Sequence, residues 1–126
     1  MTIYAFDVDH TLEVSDGPVK LETLAELKKA GHVLGLCGNF AAVTQVVPQW
    51  HCLFSFVGPM EMSKAAFLSQ IKCWCPADDH VMVGNDPRLF GRGMYPDAYA
   101  LSNDGRAAEA AGWRFLLERD FAEGRR

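Results

Sequence analysis

Apolar and polar residues alternate in blocks along this chain, and the period changes from block to block. Residues 3–8 form a short apolar run ending in acids, the pattern of a buried strand that delivers Asp7 and Asp9 to a sheet edge. Ser15-Asp16-Gly17-Pro18 is a turn cluster. From Val19 to Ala30, Leu21, Leu24 and Leu27 recur on one side, with Glu22, Glu26, Lys28 and Lys29 elsewhere. That spacing predicts an amphipathic helix, with Gly31 as its stop. His32–Cys37 predicts a second buried strand. Residues 40–47 predict a second helix, with Val43, Val46 and Val47 inward and Pro48 at its end. Cys52–Val57 (CLFSFV) predicts a third strand, closed by Gly58-Pro59. Ser63 is placed to cap a third helix whose buried stripe is Phe67, Leu68, Ile71 and Trp74. His80–Val83 predicts a fourth strand, Ala98–Leu101 a weaker fifth, Arg106–Ala111 a short helix and Trp113–Leu117 a final edge strand. The Arg- and Glu-rich tail from Glu118 predicts a loosely attached end, from which Phe121 can still dock.

Strands alternating with helices predict an α/β fold: a three-layer, Rossmann-like single domain over residues 1–126, with a central parallel sheet of about five strands and helices on both faces. Right-handed crossovers bring the carboxyl ends of the strands to one rim, where ligands of open parallel sheets bind. Polar groups gather there. The first strand ends in Asp7-Val8-Asp9, the second in Cys37-Gly38-Asn39 and the fourth in Gly84-Asn85-Asp86.

The chain's 126 residues are 49% hydrophobic and 22% charged, values of an ordinary globular domain rather than a disordered one. A net charge of -4 gives no broad electrostatic footprint for nucleic acid. No apolar run reaches the roughly 18 residues of a membrane span. The first residues lack the basic and apolar segments of a signal peptide, so a cytoplasmic protein with reduced thiols is expected. Cys37, Cys52, Cys73 and Cys75 are then expected to be buried structural thiols. A zinc site from His51, Cys52, Cys73 and Cys75 would depart from the usual C-x₂₋₄-C spacing. Trp50, Trp74 and Trp113 are expected in core or edge packing.

Two carboxylates one residue apart at a strand end can divide two tasks. One attacks a phosphorus centre; the other protonates the leaving oxygen and then activates water. On spacing alone, capping the following turn is the commoner role of such a pair. The segment Phe6-Asp7-Val8-Asp9-His10-Thr11-Leu12, however, resembles the D-x-D-x-T-L first motif of the haloacid dehalogenase superfamily of phosphatases, and the remaining motifs follow in order over residues 2–117. The resemblance implies that Asp7 is the nucleophile that becomes an aspartyl-phosphate. It implies that Asp9 is the general acid/base and that its backbone carbonyl is a metal ligand. Leu34-Gly35-Leu36-Cys37-Gly38-Asn39 resembles the second motif with Cys37 in place of the hydroxyl, and implies phosphate binding by Cys37, Gly38 and Asn39. Lys64 resembles the third-motif lysine that offsets charge on phosphate and nucleophile. Val83-Gly84-Asn85-Asp86 resembles the acidic fourth motif, which implies Mg²⁺ held by Asp7, Asp9, Asp86 and Asn85; the later acid of that motif falls near Phe90, which cannot serve.

By the same resemblance, the stretches 12–19 and 58–63 are too short for the cap domain many members insert. An open site implies a phosphorylated substrate that can be large, or cover by an oligomer. His10 stands where glycine is common and is expected as a loop histidine. Arg88 and Arg92 can meet an anionic substrate or lie on the surface. Cys37 as a catalytic thiolate would want a longer loop with a following Arg, which Asn39-Phe40-Ala41 does not supply. A second reading is a binding or regulatory protein of this fold with little turnover. A phosphate-receiver domain would carry its acid on the third strand, where Phe56-Val57-Gly58 stands.

Overall fold

A computed structural model describes residues 1–86 and 103–126 of the chain. Among the described residues five strands form one all-parallel sheet in the order β3-β2-β1-β4-β5. They are β1 (Thr2–Phe6), β2 (Val33–Cys37), β3 (Phe56–Gly58), β4 (Asp79–Gly84) and β5 (Arg114–Leu117). The helices are α1 (Leu21–Lys29), α2 (Ala41–Thr44), α3 (Trp50–Leu53), α4 (Lys64–Trp74), α5 (Asp104–Ala111) and α6 (Glu118–Ala122).

The sheet is covered on both faces, and β1 shows why its sequence is apolar throughout. Tyr4 and Phe6 join the core cluster on one face, with Leu24, Val43, Phe54 and Phe121 from the α1, α2, α3 and α6 side. Ile3 and Ala5, alternating with them, join the cluster on the other, with Leu68 of α4 and Ala108 of α5. The chain builds β1, β2 and β3 outward, then returns to place β4 on the opposite side of β1. The carboxyl ends of β1 and β4 therefore meet at the topological switch point, the usual ligand position in such sheets.

The structure departs from the sequence expectations at four places. Cys52–Val57 is not one strand: α3 occupies Trp50–Leu53 and only Phe56–Gly58 pairs in the sheet. Trp50, Leu53 and Phe54 all pack on the core at helical spacing, which a short apolar run cannot distinguish from a strand. The second helix is the single turn Ala41–Thr44, and Val46 beyond it is 65% exposed rather than inward. Trp74 is the last residue of α4 and 74% exposed, so it leaves the buried stripe, while Cys52 and Cys73 are exposed rather than buried. The tail is not loose: it forms α6, and Phe121 is fully buried edge-on against Tyr4 and Phe6. The expected strand at Ala98–Leu101, and Arg88, Phe90 and Arg92, lie outside the described residues. Among the described residues no helix is long and apolar enough to cross a membrane.

Candidate functional site

Asp7 follows directly on β1, and its N–H donates to Val83 O at 2.9 Å, extending the β1–β4 ladder by one bond. The carboxylate is thus carried on a buried sheet position rather than on a free loop, and Asp7 is 2% exposed. The chain turns at once: Thr11 and Leu12 N–H both donate to Val8 O, and His10 adopts φ 59°. That left-handed conformation costs a non-glycine residue about 1 kcal/mol, which explains why glycine suits this position. The turn is held by His10 N–H to Ser15 O (2.8 Å). It leaves Asp9 half-exposed at the rim, where Oδ1 accepts from Ser15 Oγ (2.9 Å) and Asn39 Nδ2 (3.3 Å). The two acids therefore sit in different surroundings, one enclosed and one facing solvent, which is what separate roles require.

Lys64 opens α4. The cap of that helix is Ser63, whose Oγ accepts from Ala66 N–H at 3.1 Å. Ser63→Ala is expected to lower stability by about 1 kcal/mol, the usual value of such a cap, as read by urea denaturation. From the first turn, Lys64 Nζ reaches Asp7 Oδ1 at 3.0 Å and Asp104 Oδ1 at 2.7 Å. Asp104 is fully buried at the start of α5, and its Oδ2 accepts the Asn85 N–H at 2.9 Å. A Cβ on Gly84 would collide with the Asp104 carboxylate, so this close approach depends on glycine there. Burial opposes the Lys64 ammonium, but Asp104 and Asp7 together outweigh it and raise its pKa. Burial, then the charge of Asp7, pushes Asp104 up to about 7 against the pull of Lys64. One cation facing two enclosed carboxylates leaves the cluster holding a proton more readily than a free aspartate does.

Asp104 is the residue that sequence reasoning missed. Its only local signal is Asn103-Asp104-Gly105 ahead of a helix, where Asn103 Oδ1 accepts from Arg106 N–H at 3.2 Å as an ordinary cap. Nothing in its spacing from Gly84-Asn85-Asp86 marks it as part of the site.

The carboxyl end of β2 supplies the opposite wall. A Cβ on Gly38 would strike Asp7 Oδ1, so backbone lies directly against that carboxylate. The Gly38 N–H is committed to Gly58 O at 2.8 Å. Of the two amides expected to cradle phosphate, that of Gly38 is therefore already engaged. Cys37 is fully buried, and burial pushes its thiol up to about 12 despite nearby Lys64. The group is a neutral, weak S–H donor at physiological pH and not a thiolate nucleophile.

Asn85 follows β4 and is 1% exposed. Its Nδ2 donates to Asp7 Oδ2 (3.1 Å) and to the Asp9 carbonyl (3.2 Å), while its Oδ1 is buried with no hydrogen-bond partner among the described residues. Leaving an acceptor in that condition costs about 1–3 kcal/mol. The structure thus joins Asp7, Asp9 and Asn85 directly. Asp86 is 2% exposed, and its carboxylate lies against Gly105 in the first turn of α5.

Comparison of the chain with protein-family models, curated proteins and solved structures found no match.

Among the described residues no three His, Cys, Asp or Glu side chains gather as a metal-binding group. The donors at the rim are of another kind. Asp7 Oδ2 and the Asp9 carbonyl converge on one amide whose own oxygen is unpartnered. Carboxylate, carbonyl and amide oxygens are the chemistry that suits a hard divalent cation such as Mg²⁺.

Proposed function

We propose that this chain is a Mg²⁺-dependent phosphatase of the haloacid dehalogenase type, hydrolysing phosphomonoesters through a phosphoryl group on Asp7. The observation that carries the reading is the environment of Asp7. It is a buried carboxylate at the switch point of a parallel sheet, bound by Lys64 Nζ at 3.0 Å, with a second carboxylate two residues on in a more open setting. Such a carboxylate is fixed in place and has its charge offset, both of which favour attack on an anionic substrate.

In this reading an Asp7 oxygen attacks phosphorus and the bond to the ester oxygen breaks. Asp9 donates a proton to that leaving oxygen. Asp9 then removes a proton from water, the water oxygen attacks phosphorus, and the bond to Asp7 breaks to release phosphate and restore the carboxylate. Ser15 and Asn39 hold the Asp9 carboxylate between these two proton transfers. Lys64 and the Asn39 amide meet the phosphoryl oxygens. A bound Mg²⁺, held by Asp7, the Asp9 carbonyl, Asn85 and Asp86, would supply positive charge to the transferring group. The loops over residues 7–20 and 59–63 hold no inserted domain. Among the described residues no inserted domain covers the rim, which suits a large phosphorylated substrate.

The test is phosphate release from p-nitrophenyl phosphate and from a panel of phosphorylated metabolites and polymers, with Mg²⁺ and after chelation. Release that stops on chelation is expected. One observation favours the alternative of a binding or regulatory protein with little turnover: a neutral Cys37 thiol stands where the resemblance places a hydroxyl. Absence of release from every phosphoester, with phosphate still bound, would replace the enzyme reading with that one.

A further inference from the structure

Two features of Asn85 do not suit a side chain already turned to ligate a cation. Its Nδ2 bridges Asp7 Oδ2 at 3.1 Å and the Asp9 carbonyl at 3.2 Å, and its Oδ1 is enclosed without a partner among the described residues. An ionised carboxylate and a carbonyl are acceptors only, so they select the nitrogen face of the amide. The same two oxygens are the ones a hard cation would take, and an amide nitrogen offers a cation no lone pair. With the Nδ2 hydrogens aimed at both oxygens, a cation held by them would face a donor rather than a ligand, so the bridging position and cation ligation compete. The backbone of Asn85 is pinned by its N–H to Asp104 Oδ2 at 2.9 Å, which confines any adjustment to the side chain. A half-turn about the Cβ–Cγ bond exchanges nitrogen for oxygen with almost no change of shape, because the two ends of a carboxamide are nearly isosteric.

We propose that Asn85 is a two-position gate on a divalent-cation site. In one position Nδ2 bridges Asp7 and Asp9; in the other the stranded Oδ1 turns toward the same oxygens and becomes a cation ligand. The inference rests on reading this rim as a cation site. It adds that the chain carries its own substitute for the cation's charge, so the ion must displace two intramolecular hydrogen bonds to enter. Asn85 thereby sets the affinity for the cation as well as contributing a ligand. An aspartate at this position would lack the donor face. It would oppose Asp7 when no cation is bound and hold a cation more tightly when one is.

The test uses the whole chain, purified through chelator. The side-chain amide signal of Asn85 in a ¹⁵N-labelled sample is assigned by its absence from Asn85→Asp. Saturable movement of that signal on titration with MgCl₂ is expected. By calorimetry, Asn85→Asp should bind Mg²⁺ at least about tenfold more tightly than the wild type, a gap of about 1.4 kcal/mol. It should also melt at a lower temperature in chelator and gain more from added Mg²⁺. If Mg²⁺ binds the wild type calorimetrically while the Asn85 amide signal stays fixed, the gate is wrong and the phosphatase reading stands. Equal affinity of the two proteins would overturn it in the same way. If neither protein binds Mg²⁺, both the gate and the Mg²⁺ requirement of the proposed reaction fall, whatever the outcome of the phosphate-release assay.

Discussion

Asp7→Asn is expected to lower phosphomonoester hydrolysis by about 10⁴-fold or more, with the fold intact. A carboxamide oxygen is too poor a nucleophile to form the phosphorylated intermediate, and nucleophile removal in other covalent hydrolases costs this much or more. The fold should survive for reasons visible in the Asp7 contacts. The new carboxamide has the shape of the old carboxylate, and its oxygen can still accept from Lys64 Nζ. Its nitrogen would face Asn85 Nδ2, a clash of donors that rotation of the Asn85 amide relieves at the cost of the hydrogen bond to the Asp9 carbonyl. Electrostatics should help, since Asp7 is one of the charges that raise Asp104. Removing it leaves Lys64 and Asp104 as a balanced pair. Phosphate release at saturating Mg²⁺, beside circular dichroism and urea denaturation, checks both halves. Activity within about tenfold of the wild type, in a folded variant, would remove Asp7 from the role of nucleophile.

How much of this site could be read beforehand depended on how local each signal is. The strand-end acids, the β2 end and the Gly84-Asn85-Asp86 segment each lie where an apolar run stops, and period alone places those stops. The parallel sheet then brings Asp7, Asn39 and Asn85 to one rim. Lys64 was legible through Ser63, because a cap residue fixes where a helix begins and therefore what its first turn presents. Asp104 was not legible, because its role depends on the α4–α5 approach that lets Lys64 Nζ reach it across 40 positions of sequence. Its local context, a polar cap before a helix, describes a surface residue equally well.

The errors in the fold have similar causes. CLFSFV contains both a two-residue and a three-to-four-residue apolar repeat, and tertiary packing chose the helical one for Trp50, Leu53 and Phe54. Trp74 continues the stripe of Leu68 and Ile71 by spacing, but it is the final residue of its helix and stands exposed. In the tail, the charged residues that suggested looseness surround one aromatic. Phe121 is enough to anchor it, because two rings of β1 are there to receive it.

Lys64→Ala should produce the largest loss of stability, and the loss should depend on pH in a defined direction. Lys64 is the cation contacting both Asp7 and Asp104, which are 3% and 0% exposed at their side chains. Removing one partner of an enclosed ion pair typically costs about 3–5 kcal/mol, because the charge left behind is neither solvated nor paired. Asp104 can escape part of that cost by taking a proton. Its folded-state pKa already stands raised from 3.8 to about 7, so its contribution to stability is full below about 4 and is lost as pH rises through about 7. Without the ammonium the folded pKa rises further, so the added destabilisation belongs to the neutral and alkaline side of that window. Urea denaturation of wild type and Lys64→Ala should therefore differ by about 3 kcal/mol or more at pH 8 and by clearly less at pH 5. Adding Asp104→Asn to Lys64→Ala should recover part of the loss at pH 8, since it neutralises the stranded charge. The Asn85 N–H keeps an acceptor, because the carboxamide oxygen can take its hydrogen bond. A loss of equal size at both pH values, with no recovery in the double variant, would mean that Lys64 stabilises the fold by packing alone. Charge balance among Asp7, Lys64 and Asp104 would then not be what stabilises the cluster.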